Sequence, residues 1–220
     1  AVHPVAALNG SQKAVMLLNI EPDMDWAGSE AAKQALVQAQ TVIALTPFQS
    51  ESLRELADVM LPVTPSTETS GSFVSMEGRL QSFHGVVKPY AQSRPMWKVL
   101  RVIGNELDLD GFDYTSSEEV LARACINSDS IVGKLNNQVQ NVASTGLQAA
   151  SGLVRVGGVG IYQTDSVVRR SAPLQATVHA AIPAASVHPI TLAALQLPDA
   201  AHVVVKSGAS SVLVTVVADA

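Results

Sequence analysis

The chain has 220 residues, of which 47% are hydrophobic and only 15% are charged, and its formal net charge is −5. This composition excludes an intrinsically disordered protein, and the acidic balance argues against a nucleic-acid-binding surface. The single cysteine, Cys125, cannot by itself form a disulfide, a zinc site or an iron–sulfur cluster, so a reducing compartment is expected. No segment approaches the roughly 18 apolar residues that a membrane helix needs.

The first 62 residues alternate between apolar runs and helical patterns. Apolar runs at 14–20, 41–45 and 58–61 predict three buried strands. Between them, residues 29–40 form an amphipathic pattern, and Ser50 is placed to cap a second, short helix. This β-α-β-α-β order predicts a parallel sheet that is covered by helices.

The third strand opens into a polar, glycine-containing loop. In α/β sheets such loops are where ligands bind. Carboxylate and guanidinium groups can orient a polar heterocycle, and glycines allow the backbone to approach a ligand closely. The residues with these properties are Glu68, Gly71, Glu77, Gly78 and Arg79. The alternative interpretation is an internal Glu–Arg ion pair that pins a long loop.

The rest of the chain predicts weaker elements. Residues 63–93 read as irregular, and a helix is expected after Pro95. The sequence from Thr115 to Glu118 is a capping box that predicts a helix through about Ile126. Polar, glycine-rich residues make 127–170 a predicted linker. After Ser171 the pattern becomes β-like, with helical turns at 190–195 and a hairpin formed by 202–206 and 212–217.

Three other patterns do not predict a site. The glycines of 157–160 lack the spacing of a phosphate-binding loop, so a flexible linker is the better interpretation. The five histidines are scattered, without a pair at helical ligand spacing. The acidic residues of 108–113 resemble a calcium loop, but the glycine and glutamate that such a loop requires are missing.

Residues 57–81 closely resemble a segment of molybdopterin-type oxidoreductases and of their relative, the large iron–sulfur subunit of bacterial NADH–quinone oxidoreductase, respiratory complex I. The segment contains Ser-Thr-Glu-Thr-Ser-Gly at 66–71 and Met-Glu-Gly-Arg-Leu-Gln at 76–81. The resemblance continues through residues 81–89, 94–101, 111–120 and 162–175. Residues 187–199, together with the hairpin that follows, are similar to the double-psi barrel domain that closes these proteins.

The resemblance implies an α/β fold: a partial Rossmann-like parallel sheet with flanking helices, followed by a small β-rich, double-psi barrel-like segment. The implied domains are an α/β domain at 1–126, a linker or extension at 127–170 and a partial β-barrel domain at 171–220. Its implied site is a vestigial pterin loop. Glu68, Gly71, Glu77, Gly78 and Arg79 match the family pattern, but Ser75 stands where the family has Asn.

For function, the resemblance implies a non-catalytic piece of the complex I subunit that supports electron transfer from NADH to quinone. No cofactor is expected in this fragment, whereas the parent subunit is expected to carry iron–sulfur clusters. The expected partners are other peripheral-arm subunits, without nucleic acid or membrane insertion, and the expected location is cytoplasmic and peripheral to the inner membrane. The first residues and the end after a strand predict a piece of a longer protein.

Two alternatives remain open at this point. The chain can be the C-terminal part of a genuine molybdopterin oxidoreductase, such as a formate dehydrogenase. It can also be a non-redox α/β module that binds a ligand.

Overall fold

A computed structural model describes residues 12–26, 29–124, 128–135, 152–180, 184–208 and 210–219. Internal contacts divide the chain into two compact units, Ala1–Val156 and Gly157–Ala220, and each is described by itself. Within the described ranges, no helix is long and apolar enough to cross a membrane.

The first unit is built on a three-stranded parallel sheet. Its strands are β1 (Ala14–Leu18), β2 (Thr41–Thr46) and β3 (Val59–Pro62), in the order β1-β2-β3. Helix α1 (Ser29–Gln38) joins the first two strands, and α2 (Glu51–Leu56) joins the second and third. The predicted β-α-β-α-β order and the mixed α/β fold class are therefore confirmed.

The core of this unit lies around the central strand and the two helices. It consists of buried side chains from β1, α1, β2 and α2: Leu17, Ala32, Leu36, Val42, Ala44 and Leu53. The prediction of three buried strands is wrong for the two outer ones, where Leu18 is 41% exposed and Val59 is 44% exposed. Among the described residues, β1 and β3 each pair with β2 alone, and part of their apolar surface stays uncovered.

A separate lobe follows β3. The chain leaves the sheet after Val63 and returns at Arg94, where the Thr64 N–H donates to the Arg94 carbonyl at 3.1 Å. Residues 64–93, which we call the hairpin lobe, contain a 3-10 turn (Ser66–Glu68) and the antiparallel strands β4 (Gly71–Val74) and β5 (Leu80–Phe83). The prediction of an irregular stretch at 63–93 is therefore wrong, because four-residue strands carry too short a pattern to be recognised.

Three helices complete the described part of this unit. They are α3 (Met96–Glu106), α4 (Ser117–Arg123) and α5 (Ser128–Val132). The predicted capping box is found one residue later than expected: the Ser116 hydroxyl accepts from the Glu119 N–H at 3.2 Å. The Glu119 carboxylate accepts in turn from the Thr115 N–H at 2.7 Å. Helix α4 ends at Arg123 rather than near Ile126, which lies outside the described residues, as does Cys125.

The second unit contains a mixed three-stranded sheet. Strand β6 (Ala184–Val187) runs parallel to β8 (Ser210–Ala218), and β7 (His202–Ser207) pairs with β8 in antiparallel register. The unit also contains two 3-10 turns (Ile161–Gln163 and Val168–Arg170) and two short helices, α6 (Ala172–Gln175) and α7 (Pro189–Ala194). The predicted hairpin and the helical turns after His188 are confirmed. Residues 161–170, predicted as linker, contain the two turns.

Candidate functional site

The five residues predicted as a site all lie in the hairpin lobe, but they serve different contacts there. Glu68 ends the 3-10 turn, and its carboxylate accepts a hydrogen bond from the Tyr90 N–H at 2.9 Å. This bond joins residues that are 22 positions apart. Glu68 therefore links the start of the lobe to its end.

The tip of the hairpin is a tight five-residue turn from Ser75 to Arg79. The Ser75 N–H donates to the Arg79 carbonyl at 3.0 Å, and the Gly78 N–H donates to the Ser75 carbonyl at 2.9 Å. Gly78 has a φ of 79°, and a Cβ at this position would lie 2.5 Å from Cδ1 of Leu135. Glycine is needed here both for the left-handed backbone and for the close contact with this side chain.

The charged residues of the turn face solvent. Glu77 and Arg79 are both exposed. In the ranges that the structure describes, no ion pair joins Glu77 or Glu68 to Arg79. The loop is held by backbone bonds and packing, and the internal Glu–Arg pair considered from the sequence is not found.

Gly71 has a packing role at the start of β4. It lies opposite Phe83 in the hairpin register, and a Cβ there would lie 3.0 Å from the Phe83 ring. That ring stacks on Phe73 with a centroid separation of 5.2 Å and an interplanar angle of 6°. A larger residue at Gly71 would displace the aromatic pair.

A cavity of about 420 Å³ lies beside the lobe, and Glu68 is the one predicted site residue that lines it. Its walls come from the end of the 3-10 turn, the segment 84–89 and the first turn of α3. Two lysines, Lys88 and Lys98, and one histidine, His84, are among the residues that line it. The indole N–H of Trp97 is buried and has no hydrogen-bond acceptor among the described residues. Buried polar groups in folded proteins normally have such a partner.

A second group of polar residues lies at the carboxyl ends of the parallel strands, and sequence reasoning missed it. Thr46 ends β2 and Thr64 follows β3; both are 7% exposed. The Thr46 hydroxyl donates to the Phe48 carbonyl at 2.7 Å, whereas the buried Thr64 hydroxyl has no partner in the described chain. A threonine within three residues of the end of each of these two apolar runs was the available signal, because ligands bind at this edge of α/β sheets.

Helix α2 and the loop after β1 meet at the same edge. The Ser52 hydroxyl donates to the Asp23 carboxylate at 2.6 Å. Glu21, which follows β1, is only 5% exposed, and its N–H donates to the Asp25 carboxylate at 2.8 Å. This edge is thus lined by hydroxyl and carboxylate groups. Among them, the Thr64 hydroxyl is buried and has no hydrogen-bond partner in the described residues.

Two carboxylates near the lobe have lowered pKa values. Hydrogen bonds from the N–H and the hydroxyl of Thr115 lower the pKa of Glu119 below its usual 4.5. The pKa of Glu118 is also lowered, first by its own backbone N–H and the Ser117 hydroxyl, and to a smaller degree by the charge of His84.

Across the described ranges, no group of three His, Cys, Asp or Glu side chains is arranged to hold a metal ion.

Comparison with known families relates the first part of this chain to one family. Residues 2–106 match the family model for molybdopterin oxidoreductase. The molybdopterin oxidoreductase family is thus shown for residues 2–106, a little under half of the chain. The domain contains the parallel sheet, the hairpin lobe and all five residues predicted as a site.

Curated relatives resemble part of this chain. A Staphylococcus aureus protein named "Putative formate dehydrogenase SAB2186c" is 38% identical over 65 residues, which are 30% of this chain and 6% of that protein. The NADPH-Fe(3+) oxidoreductase subunit alpha of Geobacter sulfurreducens is 31% identical over 98 residues, which are 44% of this chain and 12% of that protein. The chain therefore matches only a small part of each relative's length.

A solved structure supports the same fold. Acetylene hydratase from Pelobacter acetylenicus aligns with a TM-score of 0.61 and 14% sequence identity, over 99% of this chain and 37% of that one. At this identity the likeness concerns the fold alone. The comparisons confirm the molybdopterin oxidoreductase part of the resemblance.

Proposed function

We propose that this chain is a structural, non-catalytic part of the large iron–sulfur subunit of a NADH–quinone oxidoreductase. In this role it supports electron transfer that takes place on clusters held elsewhere in the parent subunit. Its partners are the other subunits of the peripheral arm, and its location is cytoplasmic, at the inner membrane through the complex. The chain itself carries no reaction step.

The observation that supports this proposal is that the loop residues matching the family pattern make packing and backbone contacts within the lobe. Gly71 and Gly78 make room for Phe83 and Leu135, and Glu68 accepts a bond from the backbone of the lobe. Glu77 and Arg79 are exposed to solvent, and neither of them lines the 420 Å³ cavity. Residues that fix a fold in this way stabilise a scaffold, and a catalytic site needs converging polar groups instead.

A second candidate is a part of a genuine molybdopterin enzyme of the formate dehydrogenase type. One observation favours it: the Thr64 hydroxyl is buried without a partner at the carboxyl edge of the sheet, where dinucleotides bind in folds of this kind. Thr46, Ser52 and Thr64 are the residues that would hold the nucleotide part of a pterin cofactor. When bound, such a cofactor supplies a metal centre that exchanges electrons with substrate.

The two candidates differ in the activity of the full-length parent. We expect the parent, purified from its native membranes, to be recovered with other subunits in an assembly that oxidises NADH and reduces quinone. A matched variant, Thr64→Val, removes the unpaired hydroxyl at nearly constant volume and is expected to leave this activity per assembled complex unchanged. Formate oxidation by the purified parent, with a loss of activity in Thr64→Val, would contradict the proposal and support the second candidate.

A further inference from the structure

The cavity beside the hairpin lobe has the size of a small-molecule site. Its volume of about 420 Å³ lies within the roughly 300–1,000 Å³ that is usual for ligand pockets. Such pockets combine an apolar wall with a few polar groups that orient the ligand. Both kinds of group line this cavity, and their chemistry selects a class of ligand.

The apolar wall comes from the segment after β5 and from the residue before α3. Val86 and Val87 line the cavity and are 82% and 60% exposed, and Pro89 and Pro95 line it as well. Apolar surface that is open to water gains free energy when a ligand covers it. The wall therefore favours a ligand with an apolar body.

Three charged side chains of the described residues line the cavity: Glu68, Lys88 and Lys98. Two positive charges and one negative charge leave a net formal charge of +1. Neither lysine has an ion-pair partner in the described ranges, whereas the Glu68 carboxylate already accepts the Tyr90 N–H at 2.9 Å. The lining therefore favours a ligand with one negative charge.

Contacts place two of the basic side chains. The Nζ atom of Lys98 lies 5.2 Å from the centroid of the Trp97 ring, and this cation–π contact holds the ammonium group at the cavity wall. His84 also lines the cavity, but its positive form is attracted to the Glu118 carboxylate. The two lysines are therefore the cations that remain for a ligand.

We propose that this cavity binds a small monocarboxylic acid with an apolar body. The carboxylate pairs with the ammonium groups of Lys88 and Lys98, and the apolar body covers Val86 and Val87. A phosphate monoester carries a charge of about −1.5 to −2 at pH 7, which is more than the lining balances. Glu68 repels a second carboxylate in the same way. The proposal goes beyond the structural role of the chain and does not depend on it.

The test uses the full-length parent in its native assembly, with 5-fluorotryptophan in place of Trp97 as a fluorine NMR reporter at the cavity wall. Benzoate is the probe, and we expect a saturable change in chemical shift. Benzyl alcohol lacks the charge, acetate lacks the ring, and phthalate adds a second carboxylate. Each of the three is expected to bind about tenfold more weakly than benzoate or worse.

Lysine variants test the charge contacts. Lys88→Met and Lys98→Met each remove the ammonium group and keep an unbranched apolar side chain. We expect each to weaken benzoate binding about tenfold, the effect of losing one charge-assisted hydrogen bond. Lys206→Met is the matched control, because Lys206 is exposed and does not line the cavity, and it is expected to leave binding unchanged.

A glutamate variant tests the sign of the ligand charge. Glu68→Gln removes the negative charge and keeps an oxygen that can accept the Tyr90 N–H. We expect it to bind benzoate about threefold more tightly and to discriminate less against phthalate. A site for a cation would respond in the opposite direction.

Four outcomes would overturn the inference: no saturable shift with benzoate, binding of benzyl alcohol or acetate as tight as that of benzoate, equal affinities in the three lysine variants, or weaker binding in Glu68→Gln. Molybdenum in the parent would refute the proposed function and leave the benzoate result intact. The two proposals therefore fail separately.

Discussion

The parallel sheet and the hairpin lobe lie in one unit but are stabilised in different ways. The sheet buries aliphatic side chains between its strands and helices, with Leu36, Leu45 and Leu53 almost completely inaccessible. The lobe depends on glycine contacts, a ring stack and backbone bonds, and its tip residue Met76 is fully exposed. The difference indicates that the sheet stabilises the domain, while the lobe leaves apolar side chains exposed.

The largest effect is expected in the sheet. Leu53→Ala removes a fully buried side chain and is expected to lower the free energy of unfolding by about 2–5 kcal/mol. Urea unfolding followed by far-UV circular dichroism measures this loss. Leu107→Ala, at a leucine that is 63% exposed, is the matched control and should change stability by no more than about 0.5 kcal/mol. Equal losses at the two positions would break the distinction between core and surface.

The next effect is expected at the tip of the lobe. Gly78→Ala should cost about 1–2 kcal/mol for its left-handed backbone and about 1 kcal/mol more for the contact with Leu135, which is partly exposed and can shift. Gly111→Ala is the control, because Gly111 also has a positive φ of 84° but no atom within 4 Å of the added Cβ. The difference between their unfolding free energies isolates the contact, and identical values would show that Gly78 does not pack on Leu135.

A smaller effect is expected for the aromatic pair of the lobe. A double-mutant cycle with Phe73→Ala and Phe83→Ala should give a coupling free energy of about 0.5–1.5 kcal/mol, the usual contribution of a ring pair. Thermal unfolding of the four proteins measures it. Additive losses would mean that the two rings do not stack in solution.

The smallest effect concerns pH. The pKa of Glu119 is lowered by the N–H and hydroxyl of Thr115, so the folded chain holds this proton less tightly than the unfolded chain does. The resulting stabilisation of α4 is present above the usual pKa of 4.5 and is lost as the pH falls through the lowered value. A carbon-13 NMR titration of the Glu119 carboxyl should show a midpoint below 4.5, and Thr115→Val should raise it. A midpoint at or above 4.5 would contradict the capping geometry.

The sequence predicted the sheet well, because apolar runs that alternate with capped helices leave few other folds. It predicted the Ser50 cap, and the hydroxyl of Ser50 indeed accepts from the Leu53 N–H at 3.3 Å. It did not predict how far β1 and β3 are exposed, since edge position depends on strand order in three dimensions.

The candidate site was harder to predict from the sequence. The residues of the family pattern were identified, but a pattern does not show that Gly78 contacts Leu135, which is 57 positions further along the chain and belongs to a segment predicted as linker. The cavity and the unpaired Thr64 hydroxyl also depend on contacts that only the folded chain brings together.

The most direct test of the structural role is a metal analysis of the full-length parent protein. Iron, sulfide, molybdenum and tungsten are measured per polypeptide after purification from native membranes. The proposed function predicts iron and sulfide without stoichiometric molybdenum or tungsten. About one molybdenum or tungsten atom per polypeptide, the content of a working pterin enzyme, would contradict it.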